Sequence, residues 1–216
     1  MRLLIKHGAD VNVQGHTDST SLHLASSLGI IETMRILLEH GAVVNAQDRY
    51  HKTPLHLVSY VQGGTEAARL LIEHGADVNA QDTAHRTPLF FASSLESPET
   101  ARLLIKHGAE VTAQDRGHKT PLHLASSVGR GETVKLLIQH GADVNAHDER
   151  YSTPLHLAAS SSVVFVGNIH VVRLLLSHGA SVDEKDSRGR TPFQIASSNG
   201  LSEVAELLSN HRVREE

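Results

Sequence analysis

An all-α solenoid of stacked helix pairs is the fold class that three observations predict. A hexapeptide recurs six times, a second phrase recurs in step with it, and the chain lacks the bulky residues of one large core. The hexapeptide reads TSLHLA from Thr20, TPLHLV from Thr53, TPLFFA from Thr87, TPLHLA from Thr120 and again from Thr153, and TPFQIA from Thr191. The intervals are 33, 34, 33, 33 and 38 residues. The second phrase runs LLIKHGADVN to Asn12, LLEHGAVVN to Asn45, LLIEHGADVN to Asn79, LLIKHGAEVT to Thr112, LLIQHGADVN to Asn145 and LLLSHGASVD to Asp183. Only 39% of the 216 residues are hydrophobic and 3% aromatic, with no Trp, which suits many small Leu/Ala/Val interfaces.

Each element follows from local chemistry. Thr before Pro is a helix N-cap with Pro at the first helical position, so every TPLH opens a helix. A second helix follows, such as Glu132 to Gln139, with Val134, Leu137 and Ile138 at helical spacing. Gly141 after His140 closes it as a C-cap, where a protonated imidazole suits the helix dipole. A single pair is too small to bury its apolar side, so neighbours must stack. Ser202, Glu203, Glu206 and Ser209 make the last outer helix polar, as a cap requires. Leu3, Leu4 and Ile5 belong to a second helix whose first helix is missing. The reading is a piece of a longer array, with a native short start as the alternative.

The period near 33, T-P-L-H-x-A and L-L-x-x-G-A-D-V-N resemble the ankyrin repeat family over essentially the whole chain. The resemblance implies a single ankyrin-repeat solenoid whose helix pairs are joined by short β-hairpin fingers. Its expected divisions are a partial repeat at 1–15, repeats at 16–48, 49–82, 83–115, 116–148 and 149–186, and a capping repeat at 187–216. It also implies a non-catalytic scaffold whose concave side, the fingers and the exposed places of each first helix, holds a protein partner.

Composition narrows the function classes. The net charge of −4 gives no global case for nucleic acid or an anionic membrane. No apolar run reaches the length of a membrane span, and no signal-peptide pattern opens the chain. The absence of Cys removes disulfides, thiolate metal sites and cysteine nucleophiles. There is no Asn-x-Ser/Thr sequon, and an intracellular location, cytoplasmic or nuclear, is expected. No H-E-x-x-H, G-x-S-x-G, P-loop or Rossmann glycine pattern occurs. No catalytic residue, cofactor or metal site is expected.

The seventeen histidines sort by register. His7, His40, His74, His107, His140 and His178 precede the C-cap Gly. His23, His56, His123 and His156 are the fourth residue of TPLH; Phe90 and Gln194 replace it in two repeats. Both sets read as structural. His51, His85 and His118, with Tyr151 after them, stand two before the repeat Thr, where the family places Gly. Neighbouring repeats about 10 Å apart cannot bring those imidazoles onto one ion at about 2 Å, so they read as partner contacts. Asp48, Asp82, Asp115, Asp148 and Asp186, each five before the repeat Thr, shape the finger.

The partner surface is expected on Arg49, Tyr50, His51, Lys52, Tyr60, His85, Arg86, Leu95, Arg116, His118, Lys119, Arg150, Tyr151 and Phe165. Tyr and Arg are enriched at binding hot spots. A locally basic finger row implies a partner with an acidic or phosphorylated segment, bound by a monomer. Two rivals stand beside this reading. One is a repeat domain of a larger enzyme or channel; the other is a small-molecule, metal or catalytic groove built from His and Arg.

One stretch breaks the period. SSSVVFVGNIH, Ser160 to His170, carries five extra residues between the two helices of its repeat. An inter-helix turn has no sheet to join, so Val163 to Val166 form no core strand. Two options stay open: longer helices with Val163 and Phe165 tucked inward, or an exposed apolar knob at the rim of the groove.

Overall fold

The computed structural model describes residues 2–160 and 165–215, side chains excepted at 4, 165–167 and 212–215. Val163 and Val164, and the side chain of Phe165, therefore lie outside the described residues. The chain divides into two compact units, Met1–Glu110 and Val111–Glu216.

The first unit holds α1 (Arg2–Lys6), α2 (Ser21–Ser27), α3 (Ile31–Glu39), α4 (Pro54–Val58), α5 (Thr65–Glu73), α6 (Pro88–Ala92) and α7 (Glu99–Lys106). First helices stack on first helices, α2 on α4 on α6, while α3, α5 and α7 form the parallel outer row. The second unit repeats the plan with α8 (Pro121–Ser127), α9 (Gly131–Gln139), α10 (Pro154–Ser160), α11 (Phe165–Ser177), α12 (Pro192–Ser198) and α13 (Ser202–Glu215). There α8, α10 and α12 stack, with α9, α11 and α13 outside them.

Most of these helices span only 5–9 residues, too short to persist alone in water. Stacking supplies the stability. The Leu of T-P-L is fully buried at Leu22, Leu55 and Leu89 in the first unit and at Leu122 and Leu155 in the second. Leu37, Leu71 and Leu104 fill the outer row of the first unit, and Leu137 and Leu175 that of the second. Val204 and Leu208 are buried on α13, while Ser202, Glu203, Glu206 and Ser209 face solvent, so the polar outer helix is present.

The hairpin anticipated at each finger is not formed, and no strand occurs among the described residues. The finger is a tight turn closed by Asp48 N–H to Lys52 O at 3.0 Å and His51 N–H to Asp48 O at 2.8 Å. Its outer amides bond sideways to the neighbouring finger instead of along a ladder. The long repeat is accommodated partly by helix growth: α11 has 13 residues against 8 or 9 in α3, α5, α7 and α9. No helix among the described residues is long and apolar enough to cross a membrane.

Candidate interaction surface

The TPLH histidine sets the pose of the next finger. In the first unit Thr20 N–H donates to His23 Nδ1 at 3.1 Å, so that nitrogen carries a lone pair and Nε2 carries the proton. His23 Nε2–H then donates to Lys52 O at 3.0 Å, in the following finger. His56 repeats this onto Arg86 O at 3.0 Å. In the second unit His123 reaches Ser152 O and His156 reaches Arg190 O, both at 3.1 Å. Burial pushes His56, His123 and His156 below the usual 6.5, outweighing the opposing pull of those carbonyls and of nearby aspartates. Each of these four repeats thus caps its own helix and clamps the following finger with one imidazole.

Within each finger the aspartate is occupied by backbone. Asp48 Oδ1 accepts from Tyr50 and Lys52 N–H at 2.8 and 2.9 Å, and Asp82 Oδ1 from Ala84 and Arg86 N–H at 2.8 and 2.9 Å. Asp115, Asp148 and Asp186 accept from the same two places in their own fingers. Backbone bonds also tie finger to finger: Arg49 N–H to Thr17 O and Thr83 N–H to Tyr50 O in the first unit, Glu149 N–H to Gly117 O and Ser187 N–H to Arg150 O in the second.

The tip of each finger is left-handed. Asp18, His51 and His85 have φ of 56°, 57° and 62°, and His118 and Tyr151 have 59° and 55°. Only the last finger uses glycine there, Gly189 at 72°. That conformation costs an ordinary residue about 1 kcal/mol or more. The side chains of His51, His85, His118 and Tyr151 are exposed.

The family model for ankyrin repeats (3 copies) matches the chain over residues 1–82, 81–148 and 122–215. This chain is an ankyrin repeat protein. A search of curated proteins returned no match to it. Ankyrin repeats are in general non-catalytic modules of protein interaction.

The expected surface residues of this ankyrin repeat protein separate by environment. Arg49, Tyr50, Arg116, Arg150 and Tyr151 are exposed, and Lys52 and Lys119 are partly so. Tyr60 is 66% exposed at the end of the α4 turn. Leu95 is a correction: it is only 9% exposed and packs inside, because the chain turns differently after α6 than after α2, where Leu28 is 69% exposed. Arg86 is a partial correction. Its Nε and Nη2 both bond Asp82 Oδ2, at 3.0 and 2.7 Å, so its charge serves the finger. Burial alone would raise Asp82, but the side-chain and backbone bonds from Arg86 and that from Ala84 hold it below the usual carboxylate range. Arg190 and Asp186 repeat the arrangement at 3.0 and 2.7 Å. Two cations of the basic row are therefore neutralised at home.

Phe91 was absent from that expected set. Its half-buried ring has the Arg86 Cζ 4.8 Å and the Lys52 Nζ 5.1 Å from its centroid, and His56 and Tyr60 meet it edge-on at 5.8 and 6.3 Å. A signal existed: TPLFFA is the only hexapeptide with an aromatic residue in its fifth place. In the second unit a more polar depression of about 200 Å³ is lined by Lys119, Arg150, Arg188 and Arg190 together with Asp148 and Asp186.

Proposed function

We propose that the protein is a non-catalytic interaction scaffold that holds a protein partner on its finger tips and on the adjoining ends of its first helices. The observation that carries this is the left-handed tip. His51, His85 and His118 are exposed, occupy a conformation that glycine adopts freely, and make no described side-chain hydrogen bond. Such side chains subtract from stability, so their use is outward. Ankyrin family membership supports the same reading, and the bonded, repeated finger geometry presents the surface with little ordering cost on binding.

The partner is expected to carry acidic or phosphorylated residues, because Arg116 and Lys119 project from a finger whose aspartate is already occupied by backbone, with Arg150 exposed beside Glu149 at 4.0 Å and Arg49 bonded through its guanidinium to His16 O. Changing Arg116, Lys119 and Arg150 together to Glu should abolish capture of the partner in a pull-down, with the circular dichroism melt unchanged. Undiminished capture by the triple variant overturns the proposal. Arg86 is left out of the variant because a Glu there would face the buried Asp82 carboxylate.

A further inference from the structure

We propose that the depression around Phe91 is a specificity pocket for an acidic peptide, one that inserts an aromatic or leucine side chain and sets a neighbouring carboxylate on Lys52. The inference rests on the interaction-scaffold reading and names the chemistry of one part of that surface. The depression has a volume of about 590 Å³ and lies within the first unit. Its apolar lining is Leu57, Tyr60, Val61 and Phe91, and its polar rim is Ser27, Lys52 and Arg86, with His56 completing the wall.

Two departures from the repeat pattern meet here. Seven places after the repeat Thr the chain has Ser27, Ser94, Ser127, Ser160 and Ser198, and only Tyr60 is aromatic. Four places after it stand Leu24, Leu57, Leu124, Leu157 and Ile195, and only Phe91 is aromatic. The two substitutions fall in successive repeats, yet their rings touch edge-to-face at 6.3 Å. Stacking does not need them, since the other repeats stack without them. Together they make an apolar, partly open cup wide enough for one large side chain.

The charge of the rim selects the partner. Arg86 is matched by Asp82, whereas no carboxylate among the described residues lies within ion-pair distance of Lys52, whose ammonium rests 5.1 Å from the Phe91 centroid. The cup therefore carries one uncompensated positive charge beside exposed aromatic surface. An anionic group next to an apolar anchor satisfies both features, while a basic or purely apolar segment leaves Lys52 without a partner. His56 is engaged at both ring nitrogens by Thr53 and by Arg86 O, so it contributes shape and not charge.

The test uses the whole chain and a phage-displayed library of random dodecapeptides as the probe. Peptides selected on the wild type are then titrated against two variants. One restores the pattern of the other repeats, Tyr60→Ser with Phe91→Leu; the other replaces the tips, His51→Gly, His85→Gly, His118→Gly and Tyr151→Gly. Tyr60→Ser alone serves as a second cup variant, because that side chain is 66% exposed and removing it leaves the core intact. Selected peptides should share an aromatic residue or Leu beside Asp or Glu, and should bind either cup variant about tenfold more weakly or worse. The cup is overturned if no sequence is enriched, if the enriched peptides are basic, or if they bind the cup variants as tightly as the wild type. Retention by the cup variants with loss by the tip variant refutes the pocket alone and leaves the scaffold reading standing. Retention by all variants refutes both.

Discussion

At the residue scale the same motif position does different work in different repeats, and substitutions can read the difference. Thr120 is bonded to His123 through both its amide and its hydroxyl, at 3.1 and 2.9 Å. Thr87 has Phe90 where the imidazole would be, and its buried hydroxyl has no hydrogen-bond partner. Thr120→Val should therefore cost about 1–2 kcal/mol, whereas Thr87→Val should be close to neutral or slightly stabilising. Paired urea titrations check this, and equal losses at the two sites would contradict it. The finger tips invite the opposite kind of change. His51→Gly and His85→Gly relieve a left-handed conformation that costs about 1 kcal/mol, partly offset by the greater freedom of glycine in the unfolded chain. Stability is expected to hold or rise, again by urea midpoint; a loss above about 1 kcal/mol would show that the tip imidazoles stabilise the fold.

At the element scale the helix pairs were legible because their boundaries are written chemically, with Thr-Pro at the start of a first helix and His-Gly at the end of a second. The final pair shows how the logic survives substitution: Gln194 Oε1 accepts from Thr191 N–H at 2.9 Å, replacing the imidazole in the capping box. Less legible were the turns inside the pairs, where a change of residue, such as Glu96 and Pro98 in place of Gly29 and Ile31, alters packing without disturbing either motif. Leu95 is the instance, read as exposed from its register yet buried by the local course of the chain. The turn before α5 is tighter than its two glycines advertise. A Cβ on Gly64 would lie 2.5 Å from Val58 O, while one on Gly63 meets nothing within 4 Å. Gly64→Ala should thus cost several kcal/mol, more than the roughly 1 kcal/mol expected at Gly63, where only a φ of 77° opposes the side chain. Similar melting temperatures for the two variants would count against this account of the turn.

Over the whole molecule, the repeated histidine couples stability to pH. His56 in one unit and His123 and His156 in the other are held neutral in the fold, with their affinity for protons lowered by burial. Between their lowered values and the usual 6.5 the unfolded chain binds more protons than the native one. Stability is therefore fully present above about pH 6.5 and falls as the pH drops below it, by up to about 1.4 kcal/mol per pH unit for each imidazole. Thermal melts from pH 7.5 to 5.0 should show a plateau followed by a decline; a flat profile would mean that these rings do not stay neutral. Asp82 and Asp186, held below the usual 3.8, should add a second loss under that pH. This architecture could be read from the sequence because its six copies vote on one another. The surface was less readable, since charge in a finger says nothing of whether its partner is at home, as Arg86 and Arg190 show. A last consequence concerns the imidazoles themselves. In His7, His40, His74, His140 and His178 the Nδ1–H donates to a carbonyl four residues earlier, at 2.8–2.9 Å, which is the opposite tautomer to that of the TPLH set. A long-range proton–nitrogen NMR spectrum of this protein should accordingly sort many of its histidine signals into two tautomeric families, four of the repeats being labelled twice by their own chemistry.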